Sequence, residues 1–110
     1  MLVFAVAVFT LVAVMGLGLI CDVFKGSPST KIYALVHAGF ALFGSALVIL
    51  AALGGDSRVW INIGLAVVII VLGGLVSIGR HKGKPVKALA MAHGGLAVVC
   101  YLILAYIAFA

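Results

Sequence analysis

Four long apolar stretches account for nearly all of this 110-residue chain and limit the environment in which it can fold. They cover residues 1–21, 32–53, 59–78 and 88–110. A helix needs about 20 residues to cross a hydrocarbon core of roughly 30 Å, and each stretch has that length. Hydrophobic residues make up 67% of the sequence and charged residues only 8%. The chain is therefore predicted to be an integral membrane protein.

The predicted fold is all-α, because lipid supplies no hydrogen-bonding partners for an open strand. We expect a polytopic four-helix bundle that forms a single transmembrane domain, residues 1–110. The first stretch lacks the basic leading segment and the small-residue cleavage site of a secretion signal, and it is too long to be one. We expect it to remain as a transmembrane helix.

The sequence matches itself at an offset of 56 residues. This match predicts a tandem duplication of a two-helix unit, with repeat one at about 1–54 and repeat two at about 57–110. The recurring residues are Lys31, Ala34, His37, Gly39 and Ala41, which return as Lys87, Ala90, His93, Gly95 and Ala97.

The basic residues predict the orientation of the helices. All but one of them lie in or beside the first and third connections, whereas the second connection, residues 54–58, carries one acid and one base. By the positive-inside rule, the first and third connections face the cytoplasm, both termini lie on the other side, and the repeats are parallel. We expect a bacterial cytoplasmic (inner) membrane.

The net charge of +5 comes from the same basic residues. Their position beside apolar helices indicates contacts with anionic lipid headgroups rather than nucleic-acid binding. The basic residues in or beside the two connections are Lys25, Lys31, Arg80, Lys82, Lys84 and Lys87.

Two histidines, His37 and His93, lie inside predicted membrane helices at matched positions. An ionisable side chain at such a place usually marks a functional site. Small side chains line both histidine faces, which indicates either close helix packing or a flat slot between helices. These small residues are Ala34, Ala38, Ala41 and Gly44 around the first histidine, and Ala90, Gly94, Ala97 and Cys100 around the second.

A heme b would suit such a slot, because its iron accepts two imidazoles on opposite faces and its periphery is apolar. His37 and His93 are the predicted axial ligands of the heme iron. Lys31 and Lys87 lie six residues before the histidines, about 9 Å along a helix, within reach of the heme propionates. The predicted cofactor-binding residues are His37, His93, Ala41, Gly44, Ala97, Lys31 and Lys87.

This arrangement resembles, in architecture, the four-helix membrane cytochromes of the b type, whose axial histidines project inward from facing helices. One intramembrane pair allows one bis-histidine heme per chain, and His81 is interpreted as a solvated residue of the third connection. The resemblance implies an electron-transfer subunit of a respiratory or photosynthetic redox complex, with quinone as a further cofactor. No independent enzymatic activity is expected.

The expected partner is a larger membrane redox complex or a second copy in a homodimer. The alternative function is a cofactor-free accessory subunit that stabilises or assembles a larger membrane complex. Each histidine would then bond a carbonyl or hydroxyl group of a neighbouring helix. The polar residues available inside the membrane are Tyr33, Ser45, Ser77 and Tyr101.

Other classes fit the sequence less well. Small multidrug resistance transporters have a similar size, but they depend on an acid in the middle of the first helix, where this chain has none. A channel would need a polar stripe, and a zinc site would need more ligands. Asp22 is expected to pair with Lys25 or Lys31. Cys21 and Cys100 are interpreted as small buried side chains rather than redox centres.

Overall fold

The computed structural model describes all 110 residues and contains four long helices without strands. A 3₁₀ turn, Ser57–Val59, leads into the third helix. All four helices are long and apolar enough to cross a membrane. The all-helical class is thereby confirmed. The helices are α1 (Leu2–Lys25), α2 (Lys31–Leu53), α3 (Trp60–His81) and α4 (Lys87–Phe109).

Helices α1 and α3 end later than the apolar stretches that predicted them. Helix α1 runs four residues further and α3 three residues further. A glycine in a left-handed conformation then follows each of them, with φ of +68° at Gly26 and +71° at Gly83. Glycine adopts this conformation without the steric penalty that other residues meet. His81 is therefore the exposed last residue of α3, and its assignment to the connection was wrong.

The two helices that follow these glycines begin differently. The Thr30 hydroxyl accepts a hydrogen bond from the Tyr33 backbone N–H at 3.2 Å and caps α2. Val86 occupies the corresponding position before α4 and offers no side-chain cap. The first backbone N–H groups of α4 therefore lack a side-chain acceptor.

The helices form an antiparallel bundle of 44 × 20 × 19 Å. Helix α1 packs against α2 and α4, α3 packs closely against α4, and α2 packs less closely against α3. The diagonal pairs, α1 with α3 and α2 with α4, make no close backbone approach. Residues 26–30 and 82–86 lie at one end, which we call the basic end. Residues 54–59 and both termini lie at the opposite end.

The bundle places small side chains inside and large ones outside. A buried cluster near the opposite end is made mostly of alanine and valine, together with Leu104. Long aliphatic side chains such as Leu17, Ile32 and Leu53 are each more than 60% exposed. This distribution suits a lipid solvent, because lipid gives little hydrophobic driving force for burial and close packing favours small residues.

Hydrogen bonds between neighbouring helices connect the polar side chains of the apolar region. Thr10 on α1 and Tyr101 on α4 share a hydrogen bond of 2.7 Å between their hydroxyl oxygens. The Tyr33 hydroxyl on α2 donates to the Met15 carbonyl on α1 at 3.1 Å. These bonds fix the register of α1 against both of its neighbours.

At the basic end, Arg80 ties the end of α3 to the first connection. Its guanidinium donates to the Ser29 hydroxyl at 2.8 Å and to the Ser27 carbonyl. The Ser29 hydroxyl donates in turn to the Asp22 carboxylate at 2.8 Å. The expected pairing of Asp22 with a lysine was wrong, because a nearby hydroxyl held by Arg80 takes that position.

Gly44 allows α1 and α2 to approach closely. A Cβ atom at this position would lie 2.9 Å from two carbons of the Phe9 ring. At Gly39, on the same helix, a Cβ would meet nothing within 4 Å. Gly44 is therefore a packing contact, whereas Gly39 is free to accept a methyl group.

We expect Gly44→Ala to lower the free energy of unfolding by about 1–3 kcal/mol, because the added methyl group forces the Phe9 ring to move. Gly39→Ala is the matched control and should leave stability unchanged or raise it slightly, since alanine favours a helix. Thermal unfolding in a defined detergent measures both. Equal midpoints for the two variants would contradict the close contact.

Candidate functional site

His37 and His93 lie on the diagonal helices α2 and α4 at one depth in the bundle. Each is six residues beyond the first residue of its helix, about 9 Å from the basic end. The structure therefore places the two predicted ligands at the same level of the bundle.

The ring of His93 is held by a backbone carbonyl. Its Nδ1 lies 2.7 Å from the carbonyl oxygen of Ile69 on α3. A carbonyl oxygen can only accept, so Nδ1 donates and the lone pair of the neutral ring is left on Nε2. This is the arrangement by which proteins commonly orient a metal-binding histidine.

The ring of His37 has a similar position but lacks a comparable bond. The Val12 carbonyl of α1 lies beside it, yet the geometry falls short of a hydrogen bond and Nδ1 is buried without a partner. A buried polar atom without a partner is unfavourable. The His37 ring is thus the less constrained of the two.

A glycine on the preceding helix makes room for each imidazole. A Cβ at Gly73 would lie 2.9 Å from the Cε1 atom of His93, and one at Gly16 would lie 3.2 Å from the Cε1 atom of His37. Sequence reasoning missed both glycines, because they are 57 residues apart and fall outside the 56-residue match. A search for glycines at histidine depth on the preceding helix would have found them.

Several of the predicted slot residues serve helix packing. Gly44 faces Phe9, and a Cβ at Gly94 would lie 2.7 Å from the Ile20 side chain of α1. The sulfur of Cys100 contacts Asn62 of α3. These residues therefore face α1 or α3.

The remaining predicted site residues fall into two groups. Ala41 and Ala97 are half-buried on the histidine-bearing helices. Lys31 and Lys87 are exposed at the basic end, and the Lys87 Nζ atom lies 5.8 Å from the centre of the Phe24 ring. The two lysines therefore lie at the end of the bundle that is nearer to the histidines.

Three of the four polar residues proposed as histidine partners bond elsewhere, and Ser77 makes no side-chain hydrogen bond to either histidine. Tyr33 and Tyr101 are engaged with α1, and Ser45 donates to the Ala41 carbonyl. The hydrogen-bonded partner of His93 is a backbone carbonyl, as the accessory-subunit interpretation also allows. The interpretation of Cys21 as buried was wrong, because its side chain is exposed.

Asn62 is a buried polar residue that the sequence analysis did not consider. It is only 2% exposed, and its Nδ2 donates to the Cys100 carbonyl at 2.9 Å. Its Oδ1 has no partner. A single asparagine inside an apolar stretch was the available signal, since such residues commonly bond across membrane helices. It connects α3 to α4 well away from the histidines.

Comparison with known proteins gives no assignment: no family model, no curated protein and no solved structure matches the chain. The site is therefore judged by its own geometry. No three His, Cys, Asp or Glu residues converge as a metal-binding group. Two imidazoles suit a metal that brings its other ligands with it.

We expect Gly73→Ala to displace the His93 ring and break its hydrogen bond to Ile69, with a loss of about 1–3 kcal/mol in stability from overpacking. Gly74→Ala is the matched control, because a Cβ there meets nothing within 4 Å. Nitrogen chemical shifts of labelled histidine report the bond, and thermal unfolding reports stability. An unchanged His93 signal in Gly73→Ala would contradict the contact.

Proposed function

We propose that this chain is a small integral membrane electron carrier that binds one heme b through His37 and His93. One observation carries the proposal: two imidazoles lie at one depth on diagonal helices, and a carbonyl orients the ring of His93. His37 and His93 would each supply one nitrogen ligand in a bis-histidine heme site.

The residues around the histidines are compatible with this cofactor. The helices that carry them make no close backbone approach, and the Nδ1 of His37 has no hydrogen-bond partner in the protein. Ala41 and Ala97 are small residues one helical turn beyond the histidines. Lys31 and Lys87 would offer charge to the propionates. Gly44 is the weakest member of the predicted set, because Phe9 already packs against it. Bound heme would supply one-electron chemistry.

The surroundings of the bundle suggest how such a carrier would work. The connections are short, so the chain offers little surface for a soluble substrate domain. We infer that it transfers electrons within a larger respiratory or photosynthetic redox complex, or as a homodimer, with quinone as an exchange partner. Its large exposed side chains would pack against lipid or partner helices.

We further propose that the bundle arose by tandem duplication of a helical hairpin. Support comes from the glycine contact on the histidine ring, which recurs in both hairpins. A carbonyl beside each imidazole, from Val12 and from Ile69, also recurs.

The second candidate is a cofactor-free accessory subunit of a membrane complex. The hydrogen bond from His93 to the Ile69 carbonyl favours this candidate, because the same bond would satisfy a histidine that has only a structural role. The two candidates differ in whether the histidines bind a cofactor.

The heme proposal is tested by absorption spectra and heme extraction on protein purified in mild detergent after expression with added heme. We expect low-spin b-type bands at one heme per chain, with loss of those bands in His37→Ala and His93→Ala because each removes an axial nitrogen. His81→Ala is the matched control, since that ring is exposed at the end of α3.

Wild-type protein that folds without heme would refute the carrier and favour the accessory subunit. Retained low-spin bands in both histidine variants would refute the ligand assignment. Helix content by circular dichroism verifies that each variant is folded.

We expect the basic end to face the cytoplasm of a bacterial inner membrane. In a cysteine-free background, Ser57→Cys at the opposite end should react with a membrane-impermeant maleimide on intact spheroplasts. Lys84→Cys at the basic end should react only after permeabilisation. The reverse labelling pattern would contradict the orientation.

A further inference from the structure

The basic end carries an open cleft of about 730 Å³ between the first and third connections. Gly26, Ser27 and Pro28 form one wall, and Gly83, Lys84 and Pro85 form the other. The rest of the lining is Val23, Arg80, Val86, Lys87 and Ala88. The cleft is thus built from both connections, on the side of the bundle where they meet.

The charge of this cleft is entirely positive. Arg80, Lys84 and Lys87 are its ionised side chains, and no acid contributes to the lining. Asp22, the only acid of α1, accepts a hydrogen bond from Ser29. Because the bonds to Ser27 and Ser29 hold the Arg80 guanidinium in place, one of the three charges is already positioned before any ligand binds.

Backbone donors reinforce the lysines. Lys87 and Ala88 begin α4 and line the cleft, and Val86 before them provides no side-chain cap. Their N–H groups therefore add to the positive end of the helix dipole. Of the two helices that begin at the basic end, only α4 lacks a side-chain cap, because the Thr30 hydroxyl caps α2.

Apolar side chains border the cleft on the lipid side. The Phe24 ring is 46% exposed and lies beneath the Lys87 ammonium group. Met91 is 56% exposed. It lies one helical turn after Lys87, on the same face of α4. A ligand that joins an anionic group to hydrocarbon chains would match both parts of this surface.

We propose that the cleft binds the phosphodiester headgroup of an anionic phospholipid, with its acyl chains along Phe24 and Met91. Lys84, Lys87 and the first N–H groups of α4 contact the phosphate, and Arg80 holds the walls of the cleft together. Charged hydrogen bonds of this kind are the stronger class in proteins. The proposal does not depend on heme.

The test measures lipid retained by the purified full chain after reconstitution in nanodiscs of phosphatidylcholine and phosphatidylglycerol. It compares Lys84→Gln/Lys87→Gln with Lys25→Gln/Lys82→Gln, which removes the same charge outside the cleft lining. Native mass spectrometry at physiological ionic strength counts each bound lipid. We expect wild type and the control to retain phosphatidylglycerol in preference to phosphatidylcholine. In the cleft variant this preference should fall by about tenfold.

Equal losses in the two double variants would overturn the proposal, because they would indicate diffuse attraction of the basic end to anionic lipid. Retention unchanged in the cleft variant would overturn it as well. Displacement of phosphatidylglycerol by millimolar inorganic phosphate would show a site for free phosphate and refute the lipid assignment. Circular dichroism and thermal unfolding in detergent verify that the variants keep the native bundle.

Discussion

Polar groups in the apolar part of this bundle need partners within the protein, because a hydrocarbon solvent offers none. The bonds that meet this need also decide which helices are held together. Thr10 joins α1 to α4, Tyr33 joins α2 to α1, and Asn62 joins α3 to α4. No side-chain hydrogen bond joins α2 to α3, and that pair packs least closely among the four pairs of neighbouring helices. The helix pairs that pack most closely are therefore those that share polar bonds.

The two histidines also need hydrogen-bonding partners within the protein, but only one of them has such a partner. His93 obtains a carbonyl partner on α3, whereas the Nδ1 of His37 is buried beside α1 without one. A glycine on the neighbouring helix brings each ring against a backbone. This difference matters for any ligand, because the His93 ring is oriented by a carbonyl whereas the Nδ1 of His37 is not satisfied within the protein.

The basic end is organised by a different interaction. Arg80 connects α3 to the first connection and, through Ser29, to the only acid of α1. That network brings the two connections together and leaves Lys84 and Lys87 beside an uncapped helix start. Three of the basic residues from which the orientation is predicted, Arg80, Lys84 and Lys87, are thereby gathered around one cleft. Electrostatic orientation and the proposed lipid binding draw on the same residues.

The sequence by itself determined the number of helices, their all-α class and their bounds to within a few residues, because apolar length and turn residues such as Gly26 and Gly83 are local properties. It also placed His37 and His93 at one depth. Only the tertiary structure decided which small residues face which helix: Gly44 packs against Phe9, and Gly73 makes room for His93. The physical reason is that these helices are apolar on every side, so hydrophobicity marks their length but not their contacting faces. Shape and the positions of carbonyl partners then select the contacts, and these depend on residues far apart in the chain.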